Sequence, residues 1–183
     1  MLAAGAGERF GGRKQLAELD GRPLLEHVLA AMAAAPLDGV VVVLGAQAEE
    51  ISAGVSLHGA RVVICPDWDE GQAASLRAGI GALSGASAAV VALGDQPRIS
   101  PRAVDRVLGE RSPEALAVRA TYDGKPGHPV VLERPLFGAI ARLRGDEGAR
   151  TLLRGVAVRD VACDGLGRPD DVDTPEQLEV LRA

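Results

Sequence analysis

Apolar residues fall along this chain in two alternating patterns. Runs such as "GVVVVLG" (39–45), "ARVVIC" (60–65) and "SAAVVALG" (87–94) are almost continuously apolar. By contrast, "RPLLEHVLAAMAAA" (22–35) spaces its apolar positions three and four apart and stops before Pro36. The first pattern predicts strands and the second a helix. The same reading gives helices over 47–55, 71–83 and 100–110, the last opened by Ser100 with Pro101 at its first position. From residue 115 the alternation loosens. "ALAVRA" (115–120) and "HPVVLE" (128–133) predict strands on either side of "TYDGKPG", a hairpin-like insertion. Helical segments near 135–143 and 147–154 follow, then a strand near 156–162. A final helix starts at Thr174, where "TPEQ" supplies a capping box.

Strands that are apolar throughout are buried on both faces, which calls for a mainly parallel sheet covered by helices on each side. The expected fold class is therefore α/β: a single three-layer α/β/α domain over 1–183, Rossmann-like in its alternation. One irregularity stands at the front. "LAAG" (2–5) reads as the end of a strand, yet almost nothing precedes it, whereas strands usually run about five or six residues. Either the native chain has a few more residues upstream or this strand is a stub.

Composition narrows the picture. Hydrophobic residues make up 47% of the chain and aromatics only 2%, so the core is aliphatic. No apolar run is long enough for a membrane helix, and no signal-peptide pattern opens the chain. Net charge is −5, which excludes a nucleic-acid binder working through a broad basic face. Cys65 and Cys163 each end an apolar run and lack metal spacing, so they read as buried free thiols in a reducing cytoplasm. Of the 20 basic residues only Lys14 and Lys125 are lysines. In an arginine-biased chain, Lys14 suggests a site that wants a compact ammonium rather than a planar fork.

Four stretches carry candidate chemistry, all placed by the pattern near the carboxyl ends of strands, where open parallel sheets bind ligands. "LAAGAGERFGGRK" (2–14) offers glycine-loop N–H groups to a polyphosphate, with Arg9, Arg13 and Lys14 to neutralise it. Its spacing fits neither the dinucleotide fingerprint nor a Walker loop. "LGDQP" (93–97) puts Asp95 directly after a buried strand, where a divalent cation bridging phosphates needs a hard oxygen ligand, although an ordinary turn uses the same residues. "DDVDTPEQL" (170–178) holds Asp170, Asp171 and Asp173, of which one can be a second metal carboxylate; acidic residues also simply favour a helix N-terminus. Finally, "GDEGARTLL" (145–153) reads as a helix capped near Gly145 or Asp146, with Arg150 available to a phosphate. "GKPGHPVVL" (124–132) places His128 between glycine and proline, with no catalytic partner evident in the sequence.

Taken in order, "LAAGAGERFGGRKQL", "GRPLLEHVL", "EGQAASLRAGI", "LGDQP", "GHPVVL", "GDEGAR" and "DVDTPEQL" resemble the molybdenum cofactor cytidylyltransferases. These belong to a nucleotidyltransferase superfamily that also contains the molybdenum cofactor guanylyltransferases. The resemblance spans essentially the whole chain and departs from the pattern only in the truncated first strand. It implies a fold like that of the nucleotide-diphospho-sugar transferases, with a nucleotide-binding half over 1–99 and an acceptor-binding half over 100–183. It also implies roles. Leu2, Ala3, Ala4, Gly5 and Gly7 would line the base and phosphate site, Arg9 and Lys14 would meet the triphosphate, and Gly71 and Ser75 would lie beside base and ribose. Asp95, helped by Asp173, would hold Mg²⁺. His128, Asp146 and Arg150 would face the pterin. Within the family, "LAAG" resembles the CTP-using branch rather than the guanine-using one, which usually carries "LAGG".

The implied reaction is attack by the terminal phosphate of molybdopterin on the α-phosphorus of CTP, catalysed by Lys14, Arg9 and Asp95. A phosphate monoester is already largely ionised at neutral pH, so no strong general base is needed. That agrees with a chain of three histidines and no evident catalytic dyad. Transient contact with a molybdoenzyme or its chaperone would follow, and neither nucleic acid nor membrane is involved. Two other classes stay open: a guanylyltransferase or small-phosphate cytidylyltransferase, and a noncatalytic protein that delivers a cofactor. The latter would have no need of Asp95.

Overall fold

The computed structural model describes residues 1–146 and 148–182. The helices form where apolar spacing puts them: α1 (Leu24–Ala33), α2 (Ala48–Gly54), α3 (Gln72–Gly81) and α4 (Pro101–Gly109). The expected helix at 135–143 shrinks to a 3-10 turn and α5 (Phe137–Ile140), since Pro135 and Gly138 are poor helix formers. The last two are α6 (Ala149–Leu153) and α7 (Pro175–Arg182). Ser100 caps α4 by accepting the Arg102 N–H at 3.1 Å. The capping box of α7 is reciprocal: Gln177 N–H donates to Thr174 Oγ1, and Thr174 N–H donates to Gln177 Oε1 at 3.0 Å.

The strands are β1 (Glu18–Leu19), β2 (Arg22–Pro23), β3 (Val41–Leu44), β4 (Arg61–Ile64), β5 (Ala88–Val91), β6 (Ala117–Tyr122), β7 (Lys125–Glu133) and β8 (Val158–Ala162). The ribbon β1–β2 was not expected; Asp20 and Gly21, both at positive φ, make its two-residue turn. β3 and β4 pair in parallel, and β5, β7, β6 and β8 lie side by side in that order. Residues 1–3 join the two groups as a minimal strand. Leu2 bridges in parallel to Val43 on one side and Leu93 on the other, and its N–H donates to Ala92 O at 2.9 Å.

The sheet is thus parallel except at β7, which runs against both β5 and β6. One expectation fails at the other edge. β4 is not buried on both faces: Ile64 is 55% exposed, and among the described residues β4 is the outer strand of its pair. Elsewhere alternate residues face opposite layers. Val42 and Leu44 pack with Leu25, Leu29 and Val104 of α1 and α4, whereas Val43 packs with Ala74 of α3. Further along the sheet, Val131 packs with Val107 on one side while Val130 and Leu132 pack with Leu76 and Ile140 on the other. Helices on both faces give the three layers the pattern predicts. Cys65 and Cys163 are buried and free, with burial raising both thiol pKa values. Among the described residues no helix is long and apolar enough to cross a membrane.

Candidate functional site

The first loop leaves the minimal strand at Ala3 and turns through two 3-10 segments, Glu8–Phe10 and Lys14–Leu16. Gly7, at φ 67°, opens the first segment, and a Cβ there would lie 3.0 Å from Lys14 Cβ. A side chain at position 7 would therefore press on the stem of Lys14. Beneath the loop, buried Gln15 gives its side-chain amide to Ala3 O at 3.1 Å and Gly5 O at 2.8 Å. By taking up these carbonyls, Gln15 fixes the loop from below.

Two carboxylates meet that loop from distant parts of the chain. Asp95 follows β5, and Asp173 immediately precedes the cap of α7. Lys14 Nζ donates to Asp95 Oδ2 at 2.8 Å and to Asp173 Oδ1 at 3.0 Å; Arg9 Nη2 donates to Asp173 Oδ2 at 2.8 Å. Burial alone would pull the Lys14 pKa down, but Asp95 and Asp173 outweigh it and raise it. Burial likewise disfavours ionised Asp173, and the Lys14 and Arg9 cations outweigh that to hold its pKa below the usual value. Beside them, burial raises the Asp171 pKa, with Asp95 and Asp173 adding to the effect against the Gln96 amide.

The two carboxylate loops are tied to each other. Val172 N–H donates to Asp95 O at 2.9 Å, and buried Gln96 donates to Asp171 Oδ1 at 2.8 Å and Pro169 O at 3.2 Å. Two oxygens are left over: Asp95 Oδ1 and Gln96 Oε1 are buried without a hydrogen-bond partner. A bare carboxylate oxygen on the wall of a cleft suits a hard cation. Among the described residues no three His, Cys, Asp or Glu side chains cluster to hold a metal.

These groups line a cleft of about 750 Å³ whose walls include Leu2, Ala3, Ala4, Gly5, Gly7, Arg9, Lys14, Gly71, Ser75, Asp95, Asp146 and Asp173. Gly71 is required by a close approach: a Cβ there would lie 2.5 Å from Gly145 C and 2.6 Å from Asp146 Oδ1. Asp146 thus lies against the "GQAAS" segment. It is not the cap of α6; that place is taken by Gly148, and with five residues α6 is too short to be an anion site through its dipole. Arg150 is exposed on α6, and neither it nor His128 lines this cleft. His128 is partly buried on β7, and burial lowers its pKa to about 4, with Asp95 opposing that shift and Arg150 adding to it. Gln15 and Gln72, inside quoted motifs but given no role, also line the cleft, as does Trp68, which no motif includes.

Residues 1–162 match the family described as MobA-like NTP transferase domain. Nicotine blue oxidoreductase of Paenarthrobacter nicotinovorans is 37% identical over 97% of this chain and 92% of its own length. Purine catabolism protein PucB of Bacillus subtilis is 31% identical, over 100% and 94%. Among solved structures, Rv0371c from Mycobacterium tuberculosis H37Rv superposes with a TM-score of 0.88 at 34% identity, covering 99% of this chain and 94% of that one. Rv0371c has also been solved in complex with manganese.

Proposed function

Since this chain belongs to the MobA-like NTP transferase family, we propose that it is a cytidylyltransferase joining CMP from CTP to the terminal phosphate of a molybdopterin-type acceptor. An acceptor phosphate oxygen bonds to the α-phosphorus of CTP, the bond from that phosphorus to the β-phosphate bridging oxygen breaks, and pyrophosphate leaves. The observation that carries the reading is Lys14 set between Asp95 and Asp173 at the mouth of the glycine loop. Residues 1–99 would hold the nucleotide. Residues 100–183 would bring the acceptor, with Asp146 at the cleft and His128 and Arg150 beyond it. His128, neutral near pH 7, would offer a hydrogen bond rather than a charge.

Asp95 and Asp173 are the groups that would hold Mg²⁺, which when bound neutralises phosphate charge and orients the reacting groups. The manganese complex of Rv0371c supports the use of a divalent cation. The chain's own contribution is alignment of two anions and relief of their repulsion. Lys14 and Arg9 meet the charge that builds on the departing pyrophosphate, and the loop fixed by Gln15 keeps the triphosphate in line. Ala3-Ala4-Gly5 supports CTP over GTP. The two buried thiols support a reducing, cytoplasmic setting.

The identity to Nicotine blue oxidoreductase favours a second reading, an oxidoreductase working in the same cleft. One assay separates the two. The protein is incubated with Mg²⁺, each nucleoside triphosphate and molybdopterin, and pyrophosphate is followed. CTP-selective release is expected. Equal release from GTP would overturn the cytidylyl assignment. Absence of pyrophosphate from every triphosphate would overturn nucleotidyl transfer and favour the oxidoreductase.

A further inference from the structure

The four oxygens of Asp95 and Asp173 divide unevenly. Lys14 occupies one oxygen of each, Arg9 occupies the second oxygen of Asp173, and only Asp95 Oδ1 is free of a partner. The two carboxylates a cation would need are therefore already neutralised by two side-chain cations. The carboxylates are anchored: Val172 N–H holds the Asp95 backbone, and Gln177 Oε1 accepts the Asp173 N–H at 2.6 Å. On the cation side the Lys14 backbone is likewise held, its carbonyl accepting the Ala17 N–H at 3.1 Å, but the charges sit at the ends of long side chains. The Arg9 side chain is 74% exposed, and Lys14 reaches the pair on a four-carbon stem.

We propose that Lys14 is a placeholder for the divalent cation: it holds the Asp95–Asp173 pair shut until a triphosphate draws its ammonium, and the Arg9 guanidinium, onto phosphate oxygens. Metal and nucleotide then bind interdependently, each making room for the other, and the cation enters with the triphosphate rather than before it. This rests on reading the cleft as a nucleoside triphosphate site but on neither the base nor the acceptor. Physically, a dication approaching the nucleotide-free pair meets the Lys14 charge in the position it must take. Once Lys14 has turned to phosphate, the same oxygens are exposed and the γ- and β-phosphates add ligands of their own.

Mn²⁺ serves as the probe, its binding followed by electron paramagnetic resonance of the free ion. The intact protein is expected to bind Mn²⁺ at least about tenfold more tightly with CTP or GTP present, after correction for the metal held by nucleotide alone, within the usual range for coupled sites. Lys14→Met should bind Mn²⁺ at least about tenfold more tightly than the intact protein when no nucleotide is present. Lys14→Gln, which keeps a polar group between the carboxylates, should change in the same direction and covers the case in which Lys14→Met does not fold. Asp95→Asn in the Lys14→Met background should abolish the gain. Equal Mn²⁺ affinity in the intact protein and both Lys14 variants without nucleotide would overturn the proposal, as would binding by none of them. If the variants tighten while neither triphosphate affects the intact protein, the placeholder stands and the triphosphate reading of the cleft fails.

Discussion

Lys14 and Asp95 face one another across 2.8 Å, and each gives the other a reason to be in this cleft. Lys14 was legible in the sequence because an arginine-rich chain places one of its two lysines at the end of a glycine loop. Asp95 was legible because it directly follows an apolar strand. Their pairing was not legible, since no pattern of residue types tells which loops meet, and 81 positions separate the two. Gln15 was invisible for a related reason: its importance lies in two backbone carbonyls below it, and a polar residue after a lysine carries no signature of that. Lys14→Ala should slow the chemical step by roughly 2–4 kcal/mol of transition-state stabilisation, more than it weakens CTP binding. Single-turnover kinetics at saturating CTP separates the two, and a change confined to the CTP binding constant would make Lys14 an anchor only. Lys14→Arg should restore only part of the rate, because a planar fork keeps the charge but cannot occupy the small position of a compact ammonium on the phosphates. Asp95→Asn should keep the circular dichroism spectrum while lowering turnover at least about a hundredfold, by removing charge from the group that would hold the metal.

Elements were the best-read level, because helix periodicity and capping residues are local. Ser100 and Thr174 mark the starts of α4 and α7 through hydrogen bonds that span three residues at most. Where sequence reading slipped, a local signal was weak or absent. The cap of α6 falls on Gly148 rather than Gly145 or Asp146, because Asp146 packs toward Gly71 instead of turning to the helix. The 135–143 segment is shortened by Pro135 and Gly138, poor helix formers that apolar spacing alone does not register. The capping box of α7 does more than start a helix. Gln177 Oε1 also accepts the Asp173 N–H, so the box sets the backbone that carries a site carboxylate. Thr174→Ala should lower stability by about 1 kcal/mol, the usual cost of losing a cap, read as a shift in the urea midpoint at unchanged slope. An unchanged midpoint would mean that Gln177 alone holds this turn.

At the scale of the whole molecule, apolar strands revealed the layers but not the order of the sheet. The hairpin of β6 and β7 was expected, yet its placement, with β7 rather than β6 against β5, follows from long-range pairing that burial patterns do not encode. That placement brings His128, on β7, near enough to Asp95 to feel its charge. It also buries the imidazole, with a consequence for the stability of the whole fold. The folded-state pKa of His128 is about 4, against an ordinary value of 6.5, so the unfolded chain binds this proton more readily than the native one. Stability from this group is complete above pH 6.5 and is lost as pH falls from there toward about 4. Asp171 works in the opposite direction: burial raises its pKa, so protonation at low pH favours the fold. Comparing the intact protein with His128→Gln cancels the Asp171 contribution, which both share. Urea midpoints measured from pH 7 down to the acid side should fall more steeply for the intact protein, and the two curves should converge or cross below about pH 6.5. Parallel curves through that window would mean that His128 takes up its proton in the fold as readily as in the unfolded chain, and that β7 does not hold it neutral.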